Sequence, residues 1–468
     1  MAATPLLVAR LQEADDVRRG HLAVLLGLLA EASFPETGGD LHAAVRRGLP
    51  AYLRLVRRAP GGGPLSLALL YLLAHFPGDR EAILGAVADL DLDAGDRTRL
   101  DRALRTLDRS APDLGRCWPA PSVWSLDESE RRFDRRWIQE LTAEQLTTNW
   151  NNDTHMVLAY SGAKAYWAVT NDSPVPAAAA SVDEVAPSDG VADVFRPYAG
   201  VFRCPRCAGR LAVGESGAGC GGCGAAYPIA RGILDLSAAG DEIADTATAD
   251  LLRKLADMPS MGLYYESVLR PAFLDIAGTN WGDLVSVEDE DAYLAEHVWP
   301  VDGPVLDLAA GAGRWTAVIR GAVGPDRLIA LDAGPAMLSV LRRRLPDVPA
   351  VLGDALRLPF DDGTLGAVTC WNALQAFPES AAGAIAEVGR CLRPGGTFTL
   401  MTFRYADDPI GRYFQVNHHF PSRPEGMMLF ELEEIEEWLH AAGMTIIDCS
   451  GPGTFLFVTA ARRSPAGR

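Results

Sequence analysis

Between residues 20 and 90, Leu, Ile and Val recur at three- and four-residue intervals in the runs "HLAVLLGLLAEA", "LPAYLRLVRRA", "LSLALLYLLAHF" and "REAILGAVADL", separated by Gly, Pro and Asp. That period puts the apolar side chains on one face of a helix, so residues 1–170 are expected to form a mainly helical domain of short amphipathic helices. Past residue 295 the pattern changes. "PVLDLAA", "RLIALDA", "VPAVLGD", "LGAVTCW" and "GTFTLMTF" are short continuous apolar runs, and helical-period segments lie between them. Strands buried on both faces read this way, which predicts an α/β domain over 237–468 whose parallel sheet, core 295–468, is covered on both sides.

Between these halves lie two polar breaks. "NDSPVPAAAASVDEVAPSDGVAD" has three prolines and little to bury, and marks a linker over 171–198; "SAAGDEIADTATAD" follows at 237–250. "LALLYLLAHFPGDREAILGAVADL" loosely resembles one HEAT-type hairpin, without a regular repeat. From 111 to 170 the chain holds Trp118, Trp124, Trp137, Trp150 and Trp167, half of its ten tryptophans, and "LTTNWNNDTHMVLAYSGAKAYWAV" reads either as the lining of a ligand pocket or as core filling. His155 in that stretch fits a hydrogen-bonded core histidine.

At 468 residues the chain exceeds what one core usually serves. It has no uninterrupted apolar stretch of about 18 residues and no secretory leader pattern, so a soluble, cytoplasmic protein is expected. The net charge is −18, and 13 acidic against 3 basic residues fall in 241–300. A polyanion needs a basic footprint, so this balance argues against a nucleic-acid partner.

The cysteines divide into singles and a cluster. "CPRC", twelve residues, then "CGGC" brings Cys204, Cys207, Cys220 and Cys223 into the CxxC…CxxC spacing, which supplies four sulfurs to one closed tetrahedral site. A structural Zn2+ is the expected occupant, since four thiolates leave no open position for chemistry. "FRCPRCAGRL" with "GCGGCGAAYPIARGILDL" resembles the Trm112-like zinc ribbon, a partner of methyltransferases, over 199–236.

The remaining chemistry centres on "VLDLAAGAGRW", where a buried strand gives way to a glycine turn. Glycines permit positive φ and close backbone approach, but dehydrogenases use a similar turn for pyrophosphate. Asp307 beside the turn would repel a pyrophosphate and suits a ligand bearing an ammonium and a sulfonium; the third glycine of the dinucleotide pattern is replaced by Thr316. S-adenosylmethionine, SAM, is such a ligand. Asp332 ends the next strand, twenty-five residues on, where a carboxylate accepts from ribose hydroxyls. Asp354 follows the third strand, and Cys370, Trp371 and Asn372 end the fourth.

With "LRPGG" after them, these positions resemble class I SAM-dependent methyltransferases of the small-molecule type. The resemblance implies a Rossmann-like seven-stranded domain in which Asp307, Gly311 and Gly313 hold the methionyl end, Asp332 the ribose and Asp354 with Ala355 the adenine, with Ala309, Ala333 and Asn372 also among the cofactor-binding positions. Ala309 stands where many members have glycine. Tyr264 or Tyr265 is a candidate to close over the cofactor, against a plain packing role. "RYADDPIGRYFQVNHHFPSRPEGMM" interrupts the α/β pattern and reads as an acceptor lid; its His418 and His419 are candidate bases.

The expected function is methyl transfer to a specialised metabolite, such as a peptide or a carrier-bound intermediate. An rRNA guanine methyltransferase and a SAM-binding scaffold without catalysis are the alternatives. Oligomeric state is not specified by any of these features.

Overall fold

A computed structural model of the chain describes residues 3–112, 128–175, 194–237, 258–418 and 427–464, apart from Ser33, Thr37, Pro259, Met261, Leu263 and Tyr264. The chain divides into two compact units, Met1–Ala179 with Pro271–Gly282 and Ala406–Met427, and Ala180–Arg270 with Asp283–Tyr405 and Met428–Arg468. Among the described residues no helix is long and apolar enough to cross a membrane.

The first unit is helical. Its N-terminal part comprises α1 (Thr4–Glu13), α2 (Asp16–Glu31), α3 (Asp40–Arg46), α4 (Leu49–Val56), α5 (Pro64–Leu73), α6 (Arg80–Val87), α7 (Ala94–Ala103), α8 (Glu128–Glu140) and α9 (Ala143–Asn171). Local chemistry sets the starts: Asp15 accepts from the Arg18 N–H ahead of α2, and Thr142 with Gln145 forms a capping box ahead of α9. Helix α9 runs 29 residues to Asp172, whose φ of 46° ends it. Trp150 and Trp167 therefore belong to this one helix and Trp137 to α8, with Trp137 and Trp150 buried; Trp118 and Trp124 lie outside the described residues.

The segment read as a lid is also part of this unit. Asp408 accepts from Ile410 and Gly411 N–H groups and starts the helix Pro409–Val416. Its Phe414 packs so close to α9 that a Cβ at Gly162 would stand 2.2 Å from the ring. Gln415 donates to the Ala277 carbonyl (3.1 Å) and accepts from the Ala406 N–H (2.8 Å). The insert after the fifth strand of the α/β core thus serves a helical core that the N-terminal sequence begins.

The second unit is built on an eleven-stranded sheet, where seven strands were expected. The strands are β1 (Leu211–Val213), β2 (Gly217–Cys220), β3 (Ala226–Ala230), β4 (Ile233–Asp235), β5 (Val305–Leu308), β6 (Leu328–Asp332), β7 (Ala350–Leu352), β8 (Leu365–Trp371), β9 (Leu392–Phe403), β10 (Met444–Ser450) and β11 (Phe455–Arg462). They lie in the order β1-β2-β3-β4-β7-β6-β5-β8-β9-β11-β10. The count rises because the cysteine-bearing hairpins do not stand apart: β4 pairs parallel with β7, Leu234 opposite Val351, and the Leu236 N–H donates to the Leu352 carbonyl at 2.8 Å. Residues 199–236 thereby extend the same sheet.

Strand β5 is buried at all four positions and β8 at all seven, the pattern of a sheet covered on both faces. The order reverses at β5, with β6 on one side and β8 on the other, which opens a crevice at the carboxyl ends of the strands. "LRPGG", expected as a turn ahead of the fifth strand, is instead inside β9: the register jumps from Leu365↔Leu392 to Ala367↔Thr397, a bulge that accommodates Gly395 at φ 80°.

Candidate cofactor cleft and thiol cluster

The glycine turn after β5 passes through three left-handed residues, Ala309 (φ 59°), Gly311 (φ 55°) and Gly313 (φ 89°). A Cβ at Gly313 would meet Leu341 at 2.9 Å, whereas one at Gly311 would meet nothing within 4 Å. Gly313 is therefore a packing requirement, and Gly311 leaves open space above bare backbone. Ala309 carries a strain of about 1 kcal/mol that glycine would relieve, which accounts for glycine at this position in similar turns.

Asp307 is 2% exposed, and both of its oxygens are engaged. Oδ2 accepts from the Thr316 hydroxyl at 2.6 Å and Oδ1 from the Thr369 hydroxyl at 3.0 Å. The carboxylate is thus braced inside the sheet instead of lying bare in the crevice. Burial pushes it up to about 6 against the opposing pull of the two hydroxyls, and the nearby Asp332 adds to the rise. Thr316, noted in the sequence only as a missing glycine, is the residue that holds it.

Asp332 ends β6, half-buried. Its Oδ2 accepts from the Gly311 N–H (2.8 Å) and its Oδ1 from the Gly334 N–H (2.7 Å), while burial still raises it above the usual carboxylate range. No described Arg, Lys or His forms an ion pair with Asp307 or Asp332. Beside Asp332, Ala333 is exposed; beyond β7, Asp354 is exposed and accepts from the Leu356 N–H at 2.9 Å, with Ala355 half-buried next to it.

Asn372 follows β8 at φ 55°, a left-handed conformation that asparagine tolerates. Its Nδ2 donates to the Tyr265 hydroxyl at 3.3 Å and its Oδ1 accepts from Gln375 at 2.8 Å. On the sheet side, Trp371 donates to Glu290 at 2.7 Å, and Glu290 pairs with the buried Arg270. Sequence reasoning singled out Tyr265 only as one of a pair, and Gln375 not at all, because a lone glutamine carries no spacing signal. Tyr264 lies outside the described residues.

The four clustered thiols converge as their spacing predicts. Cys204, Cys207, Cys220 and Cys223 place their sulfurs within 4.8 Å of one another. The Sγ pairs Cys204–Cys223 and Cys207–Cys220 are 3.7 and 3.4 Å apart, far beyond a disulfide bond. A tetrahedral S4 site with metal–sulfur bonds near 2.3 Å requires sulfurs about 3.8 Å apart, so the set fits. Both CxxC turns fold alike: Ala208 (φ 57°) and Gly224 (φ 73°) follow the second cysteine, and their N–H groups return to the Cys204 and Cys220 carbonyls at 2.8 and 3.0 Å. Burial opposes ionisation of Cys204, yet hydrogen bonds from Tyr227 and from the Arg206 and Cys207 N–H groups draw its thiol down to about 6.

Of the two candidate bases, His418 is 1% exposed within the helical unit, and His419 lies outside the described residues.

Comparison with known proteins places a family on part of this geometry. Residues 305–396 match the family described as a methyltransferase domain. An uncharacterised chloroplastic methyltransferase of Arabidopsis thaliana is 28% identical over 258 residues, 52% of this chain and 70% of that protein. The demethylmenaquinone methyltransferase of Staphylococcus carnosus is 30% identical over 148 residues, 31% of this chain and 61% of its own length. Among solved structures, 1,6-didemethyltoxoflavin-N1-methyltransferase of Burkholderia thailandensis is similar over 43% of this chain and 89% of that one, with 23% identity and a TM-score of 0.30. The match to a methyltransferase domain thus spans the segment that carries Asp307, Gly311, Gly313, Asp332, Asp354 and Asn372.

Proposed function

We propose that the chain transfers the methyl group of SAM to a small acceptor, a specialised metabolite, a peptide or a carrier-bound intermediate, and that residues 199–236 hold one structural Zn2+. The observation that carries the cofactor reading is the pair Asp307 and Asp332: two enclosed carboxylates, both shifted towards their neutral forms, with no described cation paired to either. A cationic nucleoside supplies the missing charge. A pyrophosphate would deepen the repulsion.

Bound SAM supplies a methyl carbon already activated by a positive sulfur. The residues of this chain bind and orient. Asp307 acts through the field it holds under the turn, Gly311 and Gly313 give backbone approach, Asp332 with Ala333 accepts from the ribose, and Asp354 with Ala355 borders the adenine. Asn372 marks the methyl side at the end of β8. Since alignment can provide much of the acceleration in such a displacement, neither His418 nor His419 is required as a base.

The test has two arms. Calorimetry on the purified chain is expected to show SAM bound at one site and NAD not bound; the reverse result overturns the reading. Labelled SAM with extracts of the source cell is expected to put label into small molecules or peptides, and label confined to RNA would replace this acceptor class with nucleic acid. For the metal, one zinc per chain by elemental analysis is expected, lost in Cys220→Ser.

A further inference from the structure

Thr402, Gln375, Asn372 and Tyr265 form a hydrogen-bonded chain that leads from the interior of the sheet to the cofactor cleft. Thr402, fully buried in β9, donates its hydroxyl to Gln375 Oε1 at 3.0 Å. Gln375 Nε2 donates to Asn372 Oδ1 at 2.8 Å, and Asn372 Nδ2 donates to the Tyr265 oxygen at 3.3 Å. Each amide uses its oxygen to receive and its nitrogen to give, so the chain runs one way. Its last oxygen is an acceptor within the chain. The phenolic proton of Tyr265 is left over, and among the described residues no acceptor is recorded for it.

Tyr265 is tied to the glycine turn by a second route. The neighbouring Glu266 holds Arg344 through two contacts of 2.8 and 2.9 Å, and Arg344 donates to the Ala312 carbonyl at 3.0 Å, inside the turn Gly311–Gly313. Both residues sit in the π-helical turn Tyr265–Leu269, a widened turn of the kind that clusters at functional sites. Burial, with Asp332, Glu266 and Glu290 nearby, pushes the phenol up to about 12 against the pull of Arg270. It keeps its proton at working pH and cannot serve as a base.

We propose that Tyr265 donates its hydroxyl proton to an oxygen of the bound cofactor, and that Gln375 and Thr402 are positioning residues that aim this donor through Asn372 without touching the ligand. The inference rests on the SAM reading. It extends the cleft to the segment that precedes β5 and to a threonine at the carboxyl end of β9.

The experiment measures SAM and S-adenosylhomocysteine affinity by calorimetry on the full chain, with melting temperatures recorded alongside. Tyr265→Phe is expected to weaken both ligands about tenfold, and Thr402→Val about threefold, as loss of a neutral hydrogen bond and loss of its orientation respectively. Thr402→Ser, which keeps the donor, is expected to restore wild-type affinity. In the double variant, Thr402→Val is expected to add nothing to Tyr265→Phe, since it acts only through that hydroxyl. Full multiplication of the two effects, or an unchanged affinity in Tyr265→Phe, overturns the inference while SAM still binds the wild type. Absence of SAM binding in the wild type overturns the cofactor reading itself, and this inference with it.

Discussion

Two buried carboxylates, Glu31 in the helical unit and Asp307 in the sheet-bearing unit, are treated in opposite ways. Glu31 of the helical unit is fully enclosed and receives four donors: Tyr71 (2.6 Å), His75 (3.1 Å), His155 (3.0 Å) and Tyr413 (3.0 Å). Burial works against its charge, yet the bonds from His155 and His75 hold it well below the usual carboxylate range. His75 faces Glu31 with one ring nitrogen and the Tyr71 carbonyl, at 2.9 Å, with the other. Asp307 is as deeply placed but has two neutral hydroxyls and a neighbouring acid, and it rises to about 6. Burial is common to both; the number of donors is not. Glu31 is satisfied by donors that tie four elements together, whereas Asp307 has no described cation beside it.

The comparison can be broken by the same change in both places. Glu31→Gln leaves the histidines without their anion and is expected to destabilise the helical unit by about 3 kcal/mol, read by denaturant unfolding. Asp307→Asn is expected to leave the unliganded fold as stable as the wild type or more so at pH 8, while weakening SAM on the order of 100-fold by calorimetry. Equal destabilisation by the two substitutions would erase the distinction.

Proton linkage sharpens it. Asp307 lies above its ordinary value of 3.8 in the fold, so its contribution to stability is present below about 4 and lost as pH rises through about 6. A cation prefers the ionised form. SAM affinity is therefore expected to be flat above about pH 6 and to fall by up to tenfold per pH unit below it, with proton release on binding. The smallest expected effect lies in the turn itself: Ala309→Gly should stabilise the second unit by up to about 1 kcal/mol and leave SAM affinity within about twofold.

Legibility in the sequence tracks the range of the interactions. The strand-end acids, the glycine turn and the CxxC pairs depend on neighbours within a few residues, and the structure brings the four thiols together where the spacing predicts. The helical period of 1–110 was equally plain. Less legible were contacts that join distant segments. Nothing local in "PIGRYFQV" says that Phe414 will fill a core opened by α5 and α9, and nothing in "ILD" says that β4 will pair with β7 and raise seven strands to eleven. The long α9 was obscured by its asparagines and threonines, which favour turns unless tertiary burial overrides them.

What this sequence determined by itself is the chemistry of single turns: an acid beside glycines, and thiols two residues apart, because backbone geometry and side-chain valence act over one or two residues. Tertiary structure alone decided which buried carboxylate is ringed by four donors and which by two. Two carboxylates of similar burial differ in what residues nine to several hundred positions away bring to them, and no single-turn pattern encodes that company.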